Sequence, residues 1–144
     1  MTGLSEYHGD EQAMNARLRK AGLRPTRQRT ALAALLFAGG DRHVTAETLL
    51  AEARTAGINV SLATVYNALN QFRRAGLLRE VAIDAAQTYY DTNVGDHHHF
   101  FLEGSNRLVD IAPGCVRVDG IPAVPDGMEV DRVDVIVRLR PRPS

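Results

Sequence analysis

The spacing of hydrophobic residues changes once along this chain, at Gly76, and no other sequence feature restricts the fold as strongly. Before Gly76, apolar residues recur with the period of amphipathic helices, in segments that end at glycine. After Gly76, apolar and polar residues alternate, which is the period of β-strands. We therefore predict an α+β protein, with a helical N-terminal part and a mainly β C-terminal part.

Four helices are predicted before Gly76, each with an apolar face and recognisable ends. Serine and threonine cap helix starts by accepting hydrogen bonds from amides of the first turn, and glycine favours helix ends. The first helix is predicted over residues 11–21. The first helix ends at Gly22, and the second begins at Pro25 and Thr26 and ends at Gly39 and Gly40. The third runs from Thr45 to Gly57, and the fourth from Ser61 to Gly76.

Two alternating segments, 78–83 and 87–91, follow the fourth helix and flank a short turn at Asp84. Helices followed by such a hairpin form a winged helix-turn-helix, in which the last helix enters the major groove of DNA and the hairpin contacts the backbone. We predict a winged-helix DNA-binding domain over residues 1–91 and a second domain over 92–144. The helical pattern alone also fits other small α domains.

The second domain is predicted to consist of short strands and loops. Strands are expected at 98–102, 107–111, 116–118 and 133–140, and the segment DGIPAVPDG at 119–127 is expected to be a loop. In the last strand Val133, Val135, Val137 and Leu139 alternate with Asp134, Ile136, Arg138 and Arg140. So few strands bury too little surface to fold alone. We therefore expect a homodimer formed through residues 97–144.

The net charge of +0 conceals an asymmetry between the two parts of the chain. Residues 1–83 hold 11 Lys and Arg against 7 Asp and Glu, a balance of +4, and residues 84–144 hold 6 against 10, a balance of −4. Six basic residues between Met14 and Asp41 occur with no acid among them. This patch favours a polyanionic partner, although a solvated basic helix face has the same composition.

The sequence also restricts the compartment. A single cysteine, Cys115, excludes an internal disulfide and a four-cysteine zinc site. No stretch is long and apolar enough for a membrane span, and the N-terminus has neither the basic nor the apolar region of a secretory signal. We expect a cytoplasmic protein with no membrane partner.

Three consecutive histidines, His97 to His99, form the densest group of candidate ligands. On a strand His97 and His99 point to one face and His98 to the other, and Asp91 and Asp110 lie on neighbouring predicted strands. Imidazole and carboxylate donors without thiolate suit iron(II), manganese(II) or zinc. The alternative is a polar turn with solvated histidines.

The motifs GLRPTRQR, HVTAETLL, SLATVYNALNQFRRAGLL and YDTNVGDHHHFF, in this order, resemble the ferric uptake regulator family of metalloregulators. The resemblance covers about residues 14–111. Within the family, DHHHFF without cysteines is most similar to the haem-responsive branch, the iron response regulators. The resemblance implies a homodimeric transcription regulator of iron and haem metabolism genes.

The resemblance also implies roles for individual residues. It assigns the regulatory metal site to His43, Asp91, His97, His99 and Asp110. Iron(II) or manganese is the expected metal, with zinc possible in vitro. Combined with the basic patch and the fourth helix, it gives these expected DNA-binding residues: Arg24, Arg27, Arg29, Ser61, Thr64, Tyr66 and Asn67.

The chain departs from the family pattern at several positions. Most relatives have arginine where this chain has Asn67, an amide that can read adenine. The first structural zinc cysteine pair is replaced by Leu102 and Ser105, and DGIPAVPDG offers no counterpart of the dimerisation helix. Cys115 precedes valine, so the cysteine-proline haem motif is absent. Haem is therefore expected at His97, His98 and His99, with His98 as the axial ligand.

Three functions follow as hypotheses. The first is a metal-bound, haem-responsive DNA-binding regulator that acts as a homodimer. The second, within the same family, is a peroxide-sensing or purely metal-sensing repressor. The third is a small metallohydrolase, which requires a placed base or acid for which the chain has no distinctive motif. We predict that the protein is not an enzyme.

Overall fold

The computed structural model describes residues 3–144, and their side chains from Glu11 onward, so the first two residues of the predicted N-terminal domain lie outside it. The chain divides into two compact units, one ending at Val94 and the other beginning at Gly95. The elements of the first unit are α1 (Gly3–Lys20), α2 (Arg27–Phe37), β1 (His43–Val44), α3 (Ala46–Thr55), α4 (Leu62–Arg74), β2 (Arg79–Asp84) and β3 (Gln87–Asp91).

Three of the predicted helix caps are present. The side chains of Thr26, Thr45 and Ser61 each accept a hydrogen bond from the amide three residues later, at the starts of α2, α3 and α4. Gly76, after α4, has a φ of 80°, a left-handed conformation that glycine adopts without strain. The capping residues therefore predicted the starts of these three helices correctly.

The start of α1 was predicted wrongly, because the helix begins at Gly3 and not at Glu11. Residues 3–10 include Gly9, a weak helix former, and only two large apolar residues, Leu4 and Tyr7, which are too few to define a period. Periodicity therefore gave no signal for this part of the helix.

A single hydrophobic core holds the first unit together. It includes Leu18 from α1, Leu36 from α2, Leu49 from α3 and Phe72 from α4, all fully buried. The rings of Phe37 and Phe72 pack edge to face with centroids 6.0 Å apart. Every helix of the unit thus contributes an apolar face to one core.

The sheet of the first unit has the order β1-β3-β2, with both pairings antiparallel. At the turn between β2 and β3, the Asp84 carboxylate accepts hydrogen bonds from the amides of Ala86 and Gln87. The hairpin of the predicted wing is confirmed. Strand β1 was not predicted, because two residues are too short to show alternation.

The second unit contains β4 (His99–Leu102), β5 (Arg107–Asp110) and β6 (Ile136–Leu139) in the order β5-β4-β6. Strand β5 is antiparallel to β4, whereas β6 is parallel to β4. Just before β6, the Val135 carbonyl accepts a hydrogen bond from the His99 amide. The expected strand at 116–118 is wrong, because this segment and the loop that follows have no regular structure. Alternation over three residues is too short to identify a strand.

Among residues 3–144, no helix combines the length and apolarity that crossing a membrane requires.

Candidate metal and DNA-binding sites

His43 and Asp91 form a pair, hereafter the N-terminal pair, at the edge of the first unit's sheet. The two residues face each other across strands β1 and β3. His43 Nε2 lies 3.2 Å from Asp91 Oδ2, and the Asp91 side chain is only 1% exposed. Asp91 Oδ1 accepts a hydrogen bond from the Asn93 amide at 2.9 Å. Strand pairing therefore holds one imidazole against one buried carboxylate.

His97, His99 and Asp110 form a second group, hereafter the C-terminal triad, within the second unit. His99 and Asp110 are register partners on β4 and β5. Asp110 Oδ1 lies 3.2 Å from His97 Nε2 and 3.4 Å from His99 Nε2, so one carboxylate oxygen approaches both imidazoles. The two rings are 4.5 Å apart between centroids. His97 lies before the start of β4, which lets the rings come closer than the ~7 Å of a regular strand.

The hydrogen bonds of His97 indicate what the triad binds. His97 Nδ1 is 2.6 Å from the Gly95 carbonyl oxygen, and because a carbonyl only accepts, Nδ1 carries the proton. In a neutral imidazole Nε2 is then an acceptor, yet it faces the Asp110 carboxylate, which also accepts. Positive charge at this point, from a proton on Nε2 or from a metal ion between the two atoms, resolves this conflict. A hydrogen bond from the other ring nitrogen is how proteins orient metal-binding histidines.

The donor set of each group is suited to a divalent metal. Imidazole nitrogen and carboxylate oxygen, with no sulfur, suit iron(II), manganese(II) and zinc. Asp91 and His99 are nearly inaccessible to solvent, and burying a carboxylate is costly unless a cation or hydrogen bonds compensate. The residues present therefore fit a bound metal ion.

His98 faces away from the triad, as strand alternation predicted. Its Nδ1 accepts a hydrogen bond from the Val135 amide at 3.1 Å, which fixes the ring against the segment leading into β6. Because Nδ1 is the acceptor, Nε2 carries the proton in the neutral ring. The three neighbouring histidines thus have two distinct environments.

Helix α4 has one buried and one exposed face. Val65, Ala68, Leu69 and Phe72 are buried in the core. Tyr66 and Asn67 are exposed, as a residue that contacts base edges must be. Two of the predicted DNA-binding residues thus lie on an accessible helix face.

Ser61 and Thr64 have a structural role at the start of α4. The Ser61 hydroxyl accepts from the Thr64 amide at 3.1 Å and lies 3.0 Å from the Thr64 hydroxyl. These contacts fix the N-terminal end of α4. Any contact of these two residues with DNA therefore comes from an ordered helix start.

Tyr66 is held by a residue that sequence reasoning missed. Its hydroxyl donates to Glu47 Oε1, in the first turn of α3, at 3.1 Å. This hydrogen bond, with smaller contributions from burial and the charge of Glu47, raises the pKa of Tyr66. The sequence signal for this contact is Glu47 itself, an acid in the first turn of the helix that precedes the predicted recognition helix.

The three arginines before and at the start of α2 differ in their contacts. Arg24 and Arg27 are exposed. The Arg29 guanidinium, in contrast, donates to the Gln71 side chain at 2.9 Å and to the Arg24 carbonyl at 2.8 Å. We expect Arg29 to support DNA binding mainly by fixing the loop that carries Arg24, a role that the basic pattern did not indicate.

The family model described as the ferric uptake regulator family matches residues 20–117. The chain therefore belongs to the ferric uptake regulator family. As a member it is a transcription regulator and not an enzyme, in an α+β fold with a winged-helix unit and a mainly β unit.

Two curated relatives illustrate the range of the family. The chain is 33% identical over 114 residues to the peroxide operon regulator of Bacillus subtilis, with 78% of each chain covered. It is 38% identical over 84 residues to the ferric uptake regulation protein of Pseudomonas putida, covering 58% of this chain and 63% of that protein. The chain thus spans less than two thirds of the second relative's length.

Solved structures of the family share the fold. The ferric uptake regulator from Pseudomonas aeruginosa with manganese superimposes with a TM-score of 0.65 at 24% identity, covering 90% of this chain and 98% of that one. The Vibrio cholerae ferric uptake regulator gives a TM-score of 0.68 at 19% identity, covering 88% and 98%. At these identities the likeness concerns the fold alone.

Proposed function

We propose that this protein is a homodimeric, DNA-binding transcription regulator whose operator affinity depends on a metal ion held by the N-terminal pair and the C-terminal triad. The observation that carries the proposal is the close approach of His97 Nε2 to Asp110 while His97 Nδ1 donates to Gly95. This geometry leaves Nε2 of His97 and a carboxylate oxygen of Asp110 side by side, which is how two ligands of one metal ion are arranged. The membership of the chain in a family of metalloregulators supports the same conclusion.

One ion shared by both groups is consistent with the chain length that joins them. Asp91 and His97 are six positions apart, which limits their Cα separation to about 20 Å even when extended. The pair would supply one imidazole and one carboxylate, and the triad two imidazoles and one carboxylate. When bound, a metal would supply positive charge opposite the carboxylates of Asp91 and Asp110.

We propose iron(II) or manganese(II) as the regulatory metal, with zinc as a substitute in vitro. Hard carboxylate oxygens combined with imidazole suit the first two, and no thiolate favours a softer metal. Solved relatives carry manganese, as in the Pseudomonas aeruginosa protein, or iron, as in the Francisella tularensis protein. Both metals are therefore the first to test.

The DNA-binding part of the proposal assigns α4 to the major groove and the basic residues to the phosphates. Tyr66 and Asn67 would contact base edges, and Arg24 and Arg27 the backbone. Two copies of the winged-helix unit in a homodimer would bind two half-sites of one operator. The metal acts on DNA affinity only if it binds one arrangement of the units better than another.

The test starts from DNA selected out of a random library by the purified protein with manganese(II) present. Fluorescence anisotropy then measures the affinity for the selected DNA with manganese, with iron(II) under anaerobic conditions, and after chelation. We expect chelation to weaken binding at least tenfold, which corresponds to about 1.4 kcal/mol. Equal affinity with and without metal contradicts the proposal.

A peroxide response is a second candidate, because relatives such as the Bacillus subtilis peroxide operon regulator match over most of this chain. In this function hydrogen peroxide would oxidise a histidine ligand of the iron(II) form, with one oxygen atom added to the imidazole and the other released as water. Mass spectrometry after peroxide treatment of the iron form would show one added oxygen on a peptide with His43, His97 or His99. The manganese form is the control, and an unmodified iron form excludes this candidate.

The haem response is the finer proposal within the same family. His98 is the proposed axial ligand, and binding iron through Nε2 would break its hydrogen bond with the Val135 amide, because the proton would move from Nε2 to Nδ1. Haem absorption spectra of the wild type and of His98→Ala test this directly. Identical spectra and identical effects of haem on DNA affinity would assign haem to another position or exclude it.

A further inference from the structure

Strand β1 carries His43 but is only two residues long, so its own backbone bonds hold it weakly. The residue before it, Arg42, makes additional contacts that hold this short strand in place. They involve helix α3, helix α2 and the residue after Asp91.

The Arg42 guanidinium binds the Glu52 carboxylate of α3 with two hydrogen bonds, Nη1 to Oε1 at 2.8 Å and Nη2 to Oε2 at 2.6 Å. Nη1 also donates to the Leu35 carbonyl of α2 at 3.1 Å. A two-bonded arginine and carboxylate pair fixes orientation as well as distance. Arg42 is thereby held by two helices of the core.

The backbone of Arg42 is joined to Thr92 from both sides. The Arg42 amide donates to the Thr92 hydroxyl at 2.9 Å, and the Thr92 amide donates to the Arg42 carbonyl at 3.0 Å. Thr92 directly follows Asp91 in sequence, as Arg42 directly precedes His43. The N-terminal pair is therefore bracketed by one set of contacts that Arg42 connects to α3.

We propose that Arg42, held by Glu52, is a positioning residue for the metal site: it sets His43 against Asp91 and so raises metal affinity. This inference rests on the proposed metal-dependent function. Fixing a ligand in its binding geometry before the metal arrives improves affinity, because less order must be gained on binding. Helix α3 also carries Glu47, which binds Tyr66, so one helix contacts both the metal-site anchor and a DNA-reading residue.

The test measures manganese(II) affinity of the full-length protein by competition with a fluorescent chelator. The matched control is Arg73→Ala, which removes another ion pair of similar exposure in the same unit, Arg73 with Glu80 at 3.4 Å. We expect Arg42→Ala to bind manganese about 10- to 100-fold more weakly than the wild type, and Arg73→Ala to bind it unchanged. The exchanged double variant, R42E with E52R, should recover part of the loss.

Thermal unfolding without metal separates positioning from general stability. Glu52→Gln preserves shape and one accepting oxygen, so it should fold like the wild type and still bind manganese more weakly. Wild-type manganese affinity in Arg42→Ala, or equal losses in Arg42→Ala and Arg73→Ala, overturns the positioning role, and wild-type affinity in Glu52→Gln overturns the part assigned to Glu52.

The inference and the proposed function fail in different ways. A wild-type protein that binds manganese tightly but shows no change in DNA affinity contradicts the proposed function and leaves the role of Arg42 intact. An Arg42→Ala variant with full manganese affinity contradicts the role of Arg42 and leaves the proposed function intact.

Discussion

The two units of this protein bury very different amounts of hydrophobic surface. The unit that ends at Val94 has a continuous core to which every helix contributes. From Gly95 onward the buried hydrophobic residues are only Phe101, Leu108 and Ile111. The same region exposes Val118, Ile121, Val124, Met128, Val130 and Leu139.

This difference indicates what each unit requires in order to fold. The N-terminal unit has enough buried surface to be stable by itself. Three short strands with three buried apolar side chains are too few for independent stability. We infer that the C-terminal unit needs a second copy of the chain and the metal in order to fold stably. A ligand can therefore change the folding equilibrium of this unit more than that of the N-terminal unit.

Separating the units should have the largest effect. A fragment ending at Val94 should unfold cooperatively, remain monomeric and bind DNA weakly, since it loses the second half-site. A fragment of residues 95–144 should show no cooperative unfolding. Thermal denaturation and sedimentation measure both properties, and a dimeric N-terminal fragment would contradict the assigned dimer region.

A single substitution in the N-terminal core should have the second largest effect, on the free energy of unfolding. Phe72→Ala removes a fully buried ring at the centre of the N-terminal core and should lower the free energy of unfolding by about 3–5 kcal/mol. Glu129→Ala, at an exposed charged residue of the C-terminal unit, is the control and should change it by less than about 0.5 kcal/mol. Denaturant titration of the full chain measures both, and a similar loss in the two variants would remove the contrast between the units.

The same contrast explains how much of the fold the sequence could predict. Thr26, Thr45 and Ser61 were identified as caps because capping depends on neighbours three residues away. Strand β1 was missed because it forms only by pairing with a strand more than 40 residues later in the chain. In the C-terminal unit, parallel pairing of β6 with β4 is also long-range and leaves no local signal.

Substitutions on the exposed face of α4 should have smaller effects, which concern DNA affinity and not the stability of the fold. Asn67→Ala should weaken binding to the preferred operator by about 1–3 kcal/mol and change the preference among operators, because an amide that reads a base is lost. Tyr66→Phe removes the hydroxyl held by Glu47 and should change preference in the same way. Competition among operator variants measures these effects, and an equal loss on all sequences would show that the residues contact only the backbone.

Arg24→Ala should have the smallest effect of this series. Its exposed guanidinium is expected to neutralise about one phosphate, so the variant should reduce the salt dependence of DNA affinity by about one counterion. Affinity measured over a range of salt concentrations gives this slope, and unfolding measurements should show no change. A wild-type slope would exclude Arg24 from the interface.

Sequence reasoning named candidate metal ligands but not the contacts that support them. Strand alternation separated His98 from its neighbours, and the family motif added His43. Neither could reveal the Gly95 carbonyl that fixes the His97 proton, or the Arg42 and Glu52 pair. Such supporting contacts depend on tertiary geometry, since the partners of Arg42 lie on separate helices.

The most direct test of the central claim compares single alanine variants at His97, His98 and His99 for manganese(II) affinity. We expect His97→Ala and His99→Ala to lose tight binding, because both approach Asp110 Oδ1, within 3.2 and 3.4 Å respectively. His98→Ala should retain it, because its ring faces the Val135 amide. Equal loss in all three variants, or no loss in any, would contradict a regulatory metal site built on one face of the triple histidine.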